Sequence, residues 1–202
     1  MSEKKRCIQL WSRLVAAFVL LGWCEWAAGD ETSAESRDYG PELECVATID
    51  KSGVMDAVVV GDRLYFVGYN LYVADISEPA APELLGAGYF PGTGRQLVVN
   101  DGIAYVTART NGVFIFDVRG SKPKLLFHYD CIELATGIEV QGNLLFIAQR
   151  QYGVEIVDIS DPAKPAYVGK IKTHEAQSVD VKGEVMYVGG LERQQAHDDR
   201  HQ

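Results

Sequence analysis

Seven side chains that follow or precede apolar runs have the chemistry to bind a polar or anionic ligand. Guanidinium groups hold carboxylates and phosphates through paired N–H donors, and binding residues concentrate in loops. Two of the arginines occupy equivalent places in a repeating pattern. We expect these loops to form one ligand-binding rim; the alternative is that the arginines are solvated or paired with neighbouring acids. The candidates are Tyr69, Arg95, Arg109, Glu133, Arg150, His174 and Glu175.

Three aspartates, Asp75, Asp117 and Asp158, recur at nearly constant intervals. Carboxylates in register could hold a metal ion, but each one is followed by Ile or Val and then by a proline-containing turn. An aspartate in that position bonds its own backbone and ends a strand. We therefore interpret these residues as structural and predict no metal site.

Catalytic motifs are missing from the sequence. It contains no GxSxG nucleophile elbow, no P-loop and no GxGxxG before a helix. His174 stands alone, and Pro91–Gly94 lacks the helix that a phosphate site requires. The sequence predicts no catalytic residue and no cofactor.

The chain repeats itself with a period of about forty residues, in the range typical of repeat architectures. Aromatic residues inside apolar runs, Tyr65, Tyr105, Phe146 and Tyr187, are almost evenly spaced. The three aspartates keep the same period, and so do four prolines. Three independent markers with one phase indicate a repeat architecture. The prolines are Pro41, Pro82, Pro123 and Pro165.

Each period is predicted to form four short strands. In the second unit these are Arg95–Val99, Ile103–Ala108, Val113–Val118 and Lys124–Tyr129. The Asp101–Gly102 pair between the first two is a strong hairpin signal, because glycine supplies a positive φ. Short strands joined by closely spaced turns indicate antiparallel meanders.

A four-stranded sheet of this length leaves both faces exposed unless copies stack radially, as the blades of a β-propeller do. The fold class is therefore all-β, a β-propeller of four-stranded antiparallel blades. The four repeated aromatics should pack between blades. Full units cover residues 55–89, 95–130 and 136–172, with a strand fragment at 42–49 and two strands at 177–181 and 185–189. This amounts to about 3.5 blades, an incomplete or four-bladed ring in which the terminal fragments could share a blade.

The third strand of the third unit, Val154–Pro165, closely resembles the LVIVD repeat, and residues 71–79 and 113–118 carry degenerate forms of it. The resemblance covers about residues 41–190. It implies a β-propeller of bacterial or archaeal surface and secreted proteins, and it brings no established catalytic residue. The missing third strand of the last unit and the shorter loop before Leu71 depart from the pattern.

The N-terminus has the layout of a secretory signal peptide. Basic residues up to Arg13 precede the apolar run 14–21, and Ala27-Ala28-Gly29 provides small residues for cleavage. We expect a signal peptide at 1–29, a linker at 30–40, repeats at 41–190 and a disordered tail at 191–202. An uncleaved anchor is the alternative at the N-terminus. The protein is then secreted, periplasmic or at the cell surface, without a membrane span after cleavage.

The net charge of the chain excludes two classes of binding partner, and the positions of its cysteines argue against a disulfide. The formal net charge is −9, and without residues 1–29 it is about −11, from 15 basic and 26 acidic residues. An acidic chain has no electrostatic footprint for nucleic acid and is repelled by anionic lipid. Of the four cysteines, Cys45 and Cys131 lie beyond the signal peptide, on outer strands of non-adjacent units, and we predict that both are free thiols.

These features favour a non-enzymatic module that binds a protein or a polar or anionic ligand through one rim. We expect the chain to be a truncated part of a larger propeller. The alternative is a propeller hydrolase acting on extracellular polymers, or a fragment of one.

Overall fold

The computed structural model describes residues 5–11 and 43–190, with side chains from residue 45. These residues form sixteen strands and no helix. Three four-stranded units follow one another, then a two-stranded one. Unit 1 comprises β3 (Asp56–Val60), β4 (Arg63–Val67), β5 (Asn70–Asp75) and β6 (Glu83–Tyr89); unit 2, β7 (Gln96–Asn100), β8 (Ile103–Thr107), β9 (Val113–Asp117) and β10 (Lys124–Tyr129); unit 3, β11 (Gly137–Gln141), β12 (Leu144–Gln149), β13 (Gly153–Asp158) and β14 (Ala166–Ile171); unit 4, β15 (Ser178–Lys182) and β16 (Val185–Gly189).

Every unit is an antiparallel meander in which chain neighbours pair, as the repeat predicts. The first hairpin of each unit turns through glycine at positive φ: 59° at Gly61, 74° at Gly102, 58° at Gly142 and 61° at Gly183. Asp101 precedes Gly102 at φ 48°. Two consecutive residues at positive φ are what a two-residue hairpin turn of type I′ requires, so the Asp-Gly pair sets the register of β7 against β8.

The outer strand of each full unit carries a one-residue bulge. The register shifts within β6, β10 and β14, where each strand has one residue more than its partner. The extra residues, Leu85, Leu126 and Val168, hold nearly equivalent positions. A bulge twists the strand and interrupts its ladder, which discourages pairing with another chain at this exposed edge.

The apolar core lies between the units. Tyr65 and Val73 of unit 1 pack with Leu97, Phe114 and Phe116 of unit 2. Residues of unit 2, such as Tyr105, pack in the same way on unit 3, and Phe146 of unit 3 packs on unit 4. Inner strands lie side by side in the order β3, β7, β11, β15. These observations confirm radial stacking of four-stranded antiparallel blades.

The last aromatic of the series departs from the prediction. Tyr65, Tyr105 and Phe146 are buried between units, but Tyr187 is 58% exposed. The prediction that all four pack between blades is wrong for Tyr187, because no further unit covers that face of β16 among the described residues. The ring is open: β15–β16 forms a sheet of its own, separate from the N-terminal strands.

The N-terminal strands form the remaining sheet. β1 (Lys5–Trp11) pairs in parallel with β2 (Leu43–Asp50). Ile49 of β2 packs on Leu64, Phe66 and Ala74 of unit 1, so β2 covers unit 1 instead of sharing a sheet with unit 4. β1 lies inside the predicted signal peptide, whose cleavage stays a prediction. The predicted linker at 30–40 and tail at 191–202 lie outside the described residues.

The three recurring aspartates end β5, β9 and β13. Oδ1 of Asp75 accepts from the Ser77 backbone N–H at 2.8 Å, and Oδ1 of Asp158 from that of Ser160 at 2.8 Å. Hydrogen bonds from the side chain and backbone of each serine hold the pKa of both carboxyls below their ordinary value. The backbone bonds predicted for these strand-ending aspartates are therefore present at Asp75 and Asp158.

Candidate functional site

Two sets of loops meet at one rim of the propeller. Loops between the second and third strands of a unit lie against the segments that enter the next unit, because the two are joined by backbone bridges. Arg109 bridges to Ala135, and Arg150 bridges to Ala176. In unit 1, the Gly68 carbonyl accepts from Gly94 N–H at 2.8 Å. The two sets of loops therefore meet at three junctions, and ligand binding by this rim stays a prediction.

The backbone at Arg109 and Arg150 has the left-handed conformation, with φ of 53° and 39°. This conformation is uncommon outside glycine. At the junction of units 1 and 2 the corresponding carbonyl belongs to Gly68, which does not have a positive φ. The carbonyls of Arg109 and Arg150 accept from Ala135 and Ala176 N–H at 3.1 and 2.8 Å. Part of the role of these arginines is therefore to join adjacent units through their backbone.

Arg150 is paired with an acid. Its Nε lies 2.9 Å and its terminal nitrogen 2.7 Å from Oε1 of Glu175, a side chain only 11% exposed. The same oxygen accepts from Gln177 Nε2 at 2.7 Å. The structure thus brings together two predicted site residues, but their charges compensate each other. The alternative stated for the arginines, pairing with a neighbouring acid, holds for Arg150.

A cavity of about 480 Å³ opens where the inner strands converge. Its walls come from equivalent positions at the start of each inner strand, so all four units contribute. Of the predicted residues, Arg95 lines it. The lining consists of Met55, Asp56, Arg95, Gln96, Thr136, Gln177 and Ser178, and we call this cavity the channel mouth.

Two acceptor side chains of the channel mouth are already engaged. Asp56 accepts from Ala57 and Leu97 N–H, both at 2.9 Å. The side-chain carbonyl of Gln96 accepts from Ile138 N–H at 2.9 Å. These two side chains each join their own unit to the next one along the chain. Their acceptor capacity therefore serves the fold.

Donors of the channel mouth are left for a ligand. Within the described part of the chain, the Arg95 guanidinium has no acidic partner at ion-pair distance. The Gln96 amide nitrogen likewise donates to no described group. Gln177 adds an amide, which donates to Glu175. Exposed cationic and amide donors on a concave surface suit carboxylate, phosphate or carbonyl oxygens.

The other predicted residues lie on the rim outside the channel mouth. Tyr69 and Arg109 are exposed in their loops, Tyr69 close to Gly53, and His174 is exposed before β15. Glu133 is half-buried, and its Oε2 accepts from Tyr152 N–H at 3.0 Å, which gives it a structural contact. The structure therefore does not bring all seven residues into one site.

Five polar residues of the channel mouth were missed: Asp56, Gln96, Thr136, Gln177 and Ser178. Their signal is positional. Residues 56, 96 and 178 start the inner strands in the same phase as the repeated aromatics, and residues next to the axis face any central cavity. The repeat register therefore contained the information, but the sequence reasoning favoured charged loop residues over it.

A buried polar cluster between units 2 and 3 was also missed. Glu155 is 4% exposed; its carboxylate accepts from Tyr129 OH at 2.6 Å and from the Gln149 amide. Nearby Cys131 is a free thiol, as is Cys45. Burial, followed by the charges of Glu155 and Asp130, raises the pKa of Cys131 to about 12. A thiol so far from ionisation is a poor nucleophile.

Two kinds of feature are absent from the described residues. No three His, Cys, Asp or Glu side chains are grouped so as to hold a metal ion in the part of the chain that the structure covers. Over the same residues, no helix has the length and hydropathy needed to cross a bilayer.

Comparison with known proteins identifies a repeat and a fold. The LVIVD repeat family matches residues 53–87 and 134–173. The first region covers β3, β4, β5 and most of β6 of unit 1. The second covers all of unit 3 and a few residues on each side of it. Unit 2 lies between the matched regions and has the same four strands. No curated protein matches the sequence.

Among solved structures, the computationally designed Ika4 protein is similar with a TM-score of 0.60 and 14% identity, over 70% of this chain and 88% of that one. The designed Ika8 protein gives 0.57 and 13%, over 69% and 43%. The WD40 β-propeller domain of Doa1 gives 0.56 and 16%, over 71% and 49%. The chain thus spans under half the length of the last two structures. The chain therefore carries two regions that match the LVIVD repeat, within a β-propeller fold.

Proposed function

We propose that this chain is a non-enzymatic binding module that takes an anionic or carbonyl-rich ligand at the channel mouth. One observation carries the proposal: the Asp56 carboxylate and the Gln96 side-chain carbonyl are bonded to backbone N–H groups, while Arg95 and Gln96 keep donors toward the cavity. A ligand that supplies oxygen acceptors can bond to these donors. A cationic ligand would meet the guanidinium and find the one lining carboxylate, that of Asp56, already in use.

The rest of the rim supports binding rather than turnover. Arg150 and Glu175 neutralise each other, and the buried Glu155 is hydrogen-bonded on both carboxylate oxygens. The Cys131 thiol is held neutral by burial. None of these groups is poised as a nucleophile or a general base next to the channel mouth.

The signal-peptide layout of the sequence supports a site of action outside the cytoplasm. A basic segment, an apolar run and small residues precede the repeats, as in a signal peptide for export. An exported chain would act in the periplasm, at the cell surface or outside the cell. The ligand is then extracellular or periplasmic: a carboxylate metabolite, an acidic sugar or the acidic segment of another protein. These share the oxygen acceptors that the channel mouth would bind.

Thermal unfolding tests the proposal with citrate and inorganic phosphate as probes, against sodium chloride at matched ionic strength. A ligand that binds only the folded state raises the melting temperature. We expect citrate to raise it for the wild type and to lose that effect in Arg95→Gln. Arg109→Gln is the matched control, an exposed rim arginine outside the channel mouth.

An equal shift in the wild type and in Arg95→Gln would contradict the proposal. So would hydrolysis of an extracellular polymer by the purified chain, which would support the hydrolase alternative instead.

A further inference from the structure

Adjacent units meet through the same two faces at every junction. We call the face that packs on the following unit the leading face; it carries Tyr65, Tyr105 and Phe146. The opposite, trailing face packs on the preceding unit, and its inner-strand valines are Val99, Val140 and Val181. Each leading face is thus complementary to a trailing face in the same phase.

Both kinds of face are open at the ends of the series. On unit 4, Val185 and Tyr187 of the leading face are 50% and 58% exposed. On unit 1, Val59 of the trailing face is 58% exposed, although its equivalents in units 2 to 4 are packed. The described residues therefore expose one unmatched leading face and one unmatched trailing face, each with large apolar side chains.

The trailing face of unit 1 is only partly covered. β2 places Ile49 on Leu64, Phe66 and Ala74, in the second and third strands. The inner strand β3 is left open, with Ala57 and Val59 exposed. At the other three junctions, the equivalent zone is covered by the first hairpin of the preceding unit, and β15–β16 is the first hairpin of unit 4.

We propose that the leading face of unit 4 packs on the trailing face of unit 1 in a second copy of this chain. The reciprocal contact, unit 4 of the second copy on unit 1 of the first, then closes a two-fold symmetric dimer. Within one chain the two faces do not cover each other among the described residues, since Val59 and Tyr187 are both exposed. A second copy supplies both missing faces in the correct phase.

One observation favours a second copy over an unrelated partner, and another shows that a propeller ring can hold more units than this chain provides. The contact continues a junction that the chain already makes three times with equivalent residues. The same arrangement of units also fits within larger propellers, since the described fold covers 43% of the Ika8 chain and 49% of the Doa1 propeller chain. Further units on both open faces are therefore compatible with this geometry.

Sedimentation equilibrium of the full chain over a wide range of concentrations tests the proposal. We expect a wild-type dimer, and a dimer Kd at least about tenfold weaker in Tyr187→Lys and in Val59→Lys. The matched control is Tyr167→Lys, because Tyr167 is 56% exposed on the outer strand β14, away from both faces. Circular dichroism and melting curves of each variant check that the fold is retained.

Mixing the two variants gives the sharpest test. In a dimer of one Tyr187→Lys copy and one Val59→Lys copy, one of the two junctions has both native side chains. A dimer of either variant alone has a substitution at both junctions. The mixture should therefore dimerise more strongly than either variant alone. A wild-type chain that stays monomeric, a dimer unaffected by either substitution, or a mixture without this recovery would each overturn the proposal. None of these results depends on ligand binding at the channel mouth.

Discussion

Unit 2 and unit 4 are built from the same repeat but differ in what surrounds them. Unit 2 has a neighbour on each side, and all five residues of β8 are buried. Unit 4 has a neighbour on its trailing face alone, and in β16 Val185, Tyr187 and Gly189 are exposed while Met186 and Val188 pack on unit 3. β16 is therefore formed with one face uncovered, and burial of that face depends on a next unit.

This difference assigns most of the stability to junctions rather than to individual units. A short antiparallel sheet buries little apolar surface alone, and the free energy gained on folding scales with the apolar area removed from water. Removing a junction side chain should therefore cost far more than removing its equivalent on the open face.

The largest expected effect compares Tyr105→Ala with Tyr187→Ala. Tyr105 is 2% exposed between units 2 and 3, so its loss leaves a cavity and should lower the free energy of unfolding by about 3 kcal/mol. Tyr187 is the equivalent residue on the open face, and its loss should cost under about 1 kcal/mol. Chemical denaturation of both variants, at concentrations where the chain is monomeric, measures the two values. Equal losses would contradict the assignment of stability to junctions.

The next effect concerns the polar cluster between units 2 and 3. Tyr129→Phe removes the hydroxyl that donates to the buried Glu155 carboxylate at 2.6 Å. A buried charged acceptor that loses a donor should lower the free energy of unfolding by about 2 kcal/mol. Tyr167→Phe on the exposed outer strand β14 should have almost no effect. Urea unfolding at neutral pH compares them, and a harmless Tyr129→Phe would show that the cluster contributes no stability.

The smallest effect lies in the turn between the third and fourth strands of unit 2, a turn without a counterpart in the described part of unit 4. Asp117 pairs with Arg119, and hydrogen bonds from that side chain and its backbone N–H lower the pKa of Asp117 to about 2. The carboxylate therefore stabilises the fold above the unfolded-state pKa of about 4, and this contribution disappears as the pH falls through about 2.

Asp117→Asn should consequently lower the free energy of unfolding at pH 7 by only about 0.5 kcal/mol, because the ion pair is at the surface. The melting temperature should fall slightly as a result. The difference from the wild type should vanish near pH 2. Asp62→Asn, on the exposed hairpin turn of unit 1, is the control. A difference that persists unchanged in acid would exclude the ion pair as its cause.

The fold could be predicted well from the sequence because the same strand and turn signals recur in each repeat. The aromatics, aspartates and prolines share one phase, and the glycine turns fix the hairpins, so unit boundaries and strand order followed. Tyr187 was mispredicted because burial depends on a neighbouring unit, and the position of a residue in its repeat does not show whether that neighbour exists.

The candidate site was harder to predict than the fold. Arg95 was found because it is a charged loop residue, whereas Gln96 and Asp56 were missed because their importance comes from adjacency around the axis. Pairing of Arg150 with Glu175 could not be read from the chain, since it depends on the bridge between Arg150 and Ala176. Sequence spacing identifies equivalent positions, but contacts between units require coordinates.

Hydrogen exchange of the monomeric chain shows whether each unit is stabilised mainly by its neighbours. We expect amides of β8, enclosed between units 1 and 3, to exchange only by global unfolding, and amides of β16 to exchange orders of magnitude faster by local opening. Equal protection of β8 and β16 under these conditions would mean that a unit does not owe its stability to its neighbours.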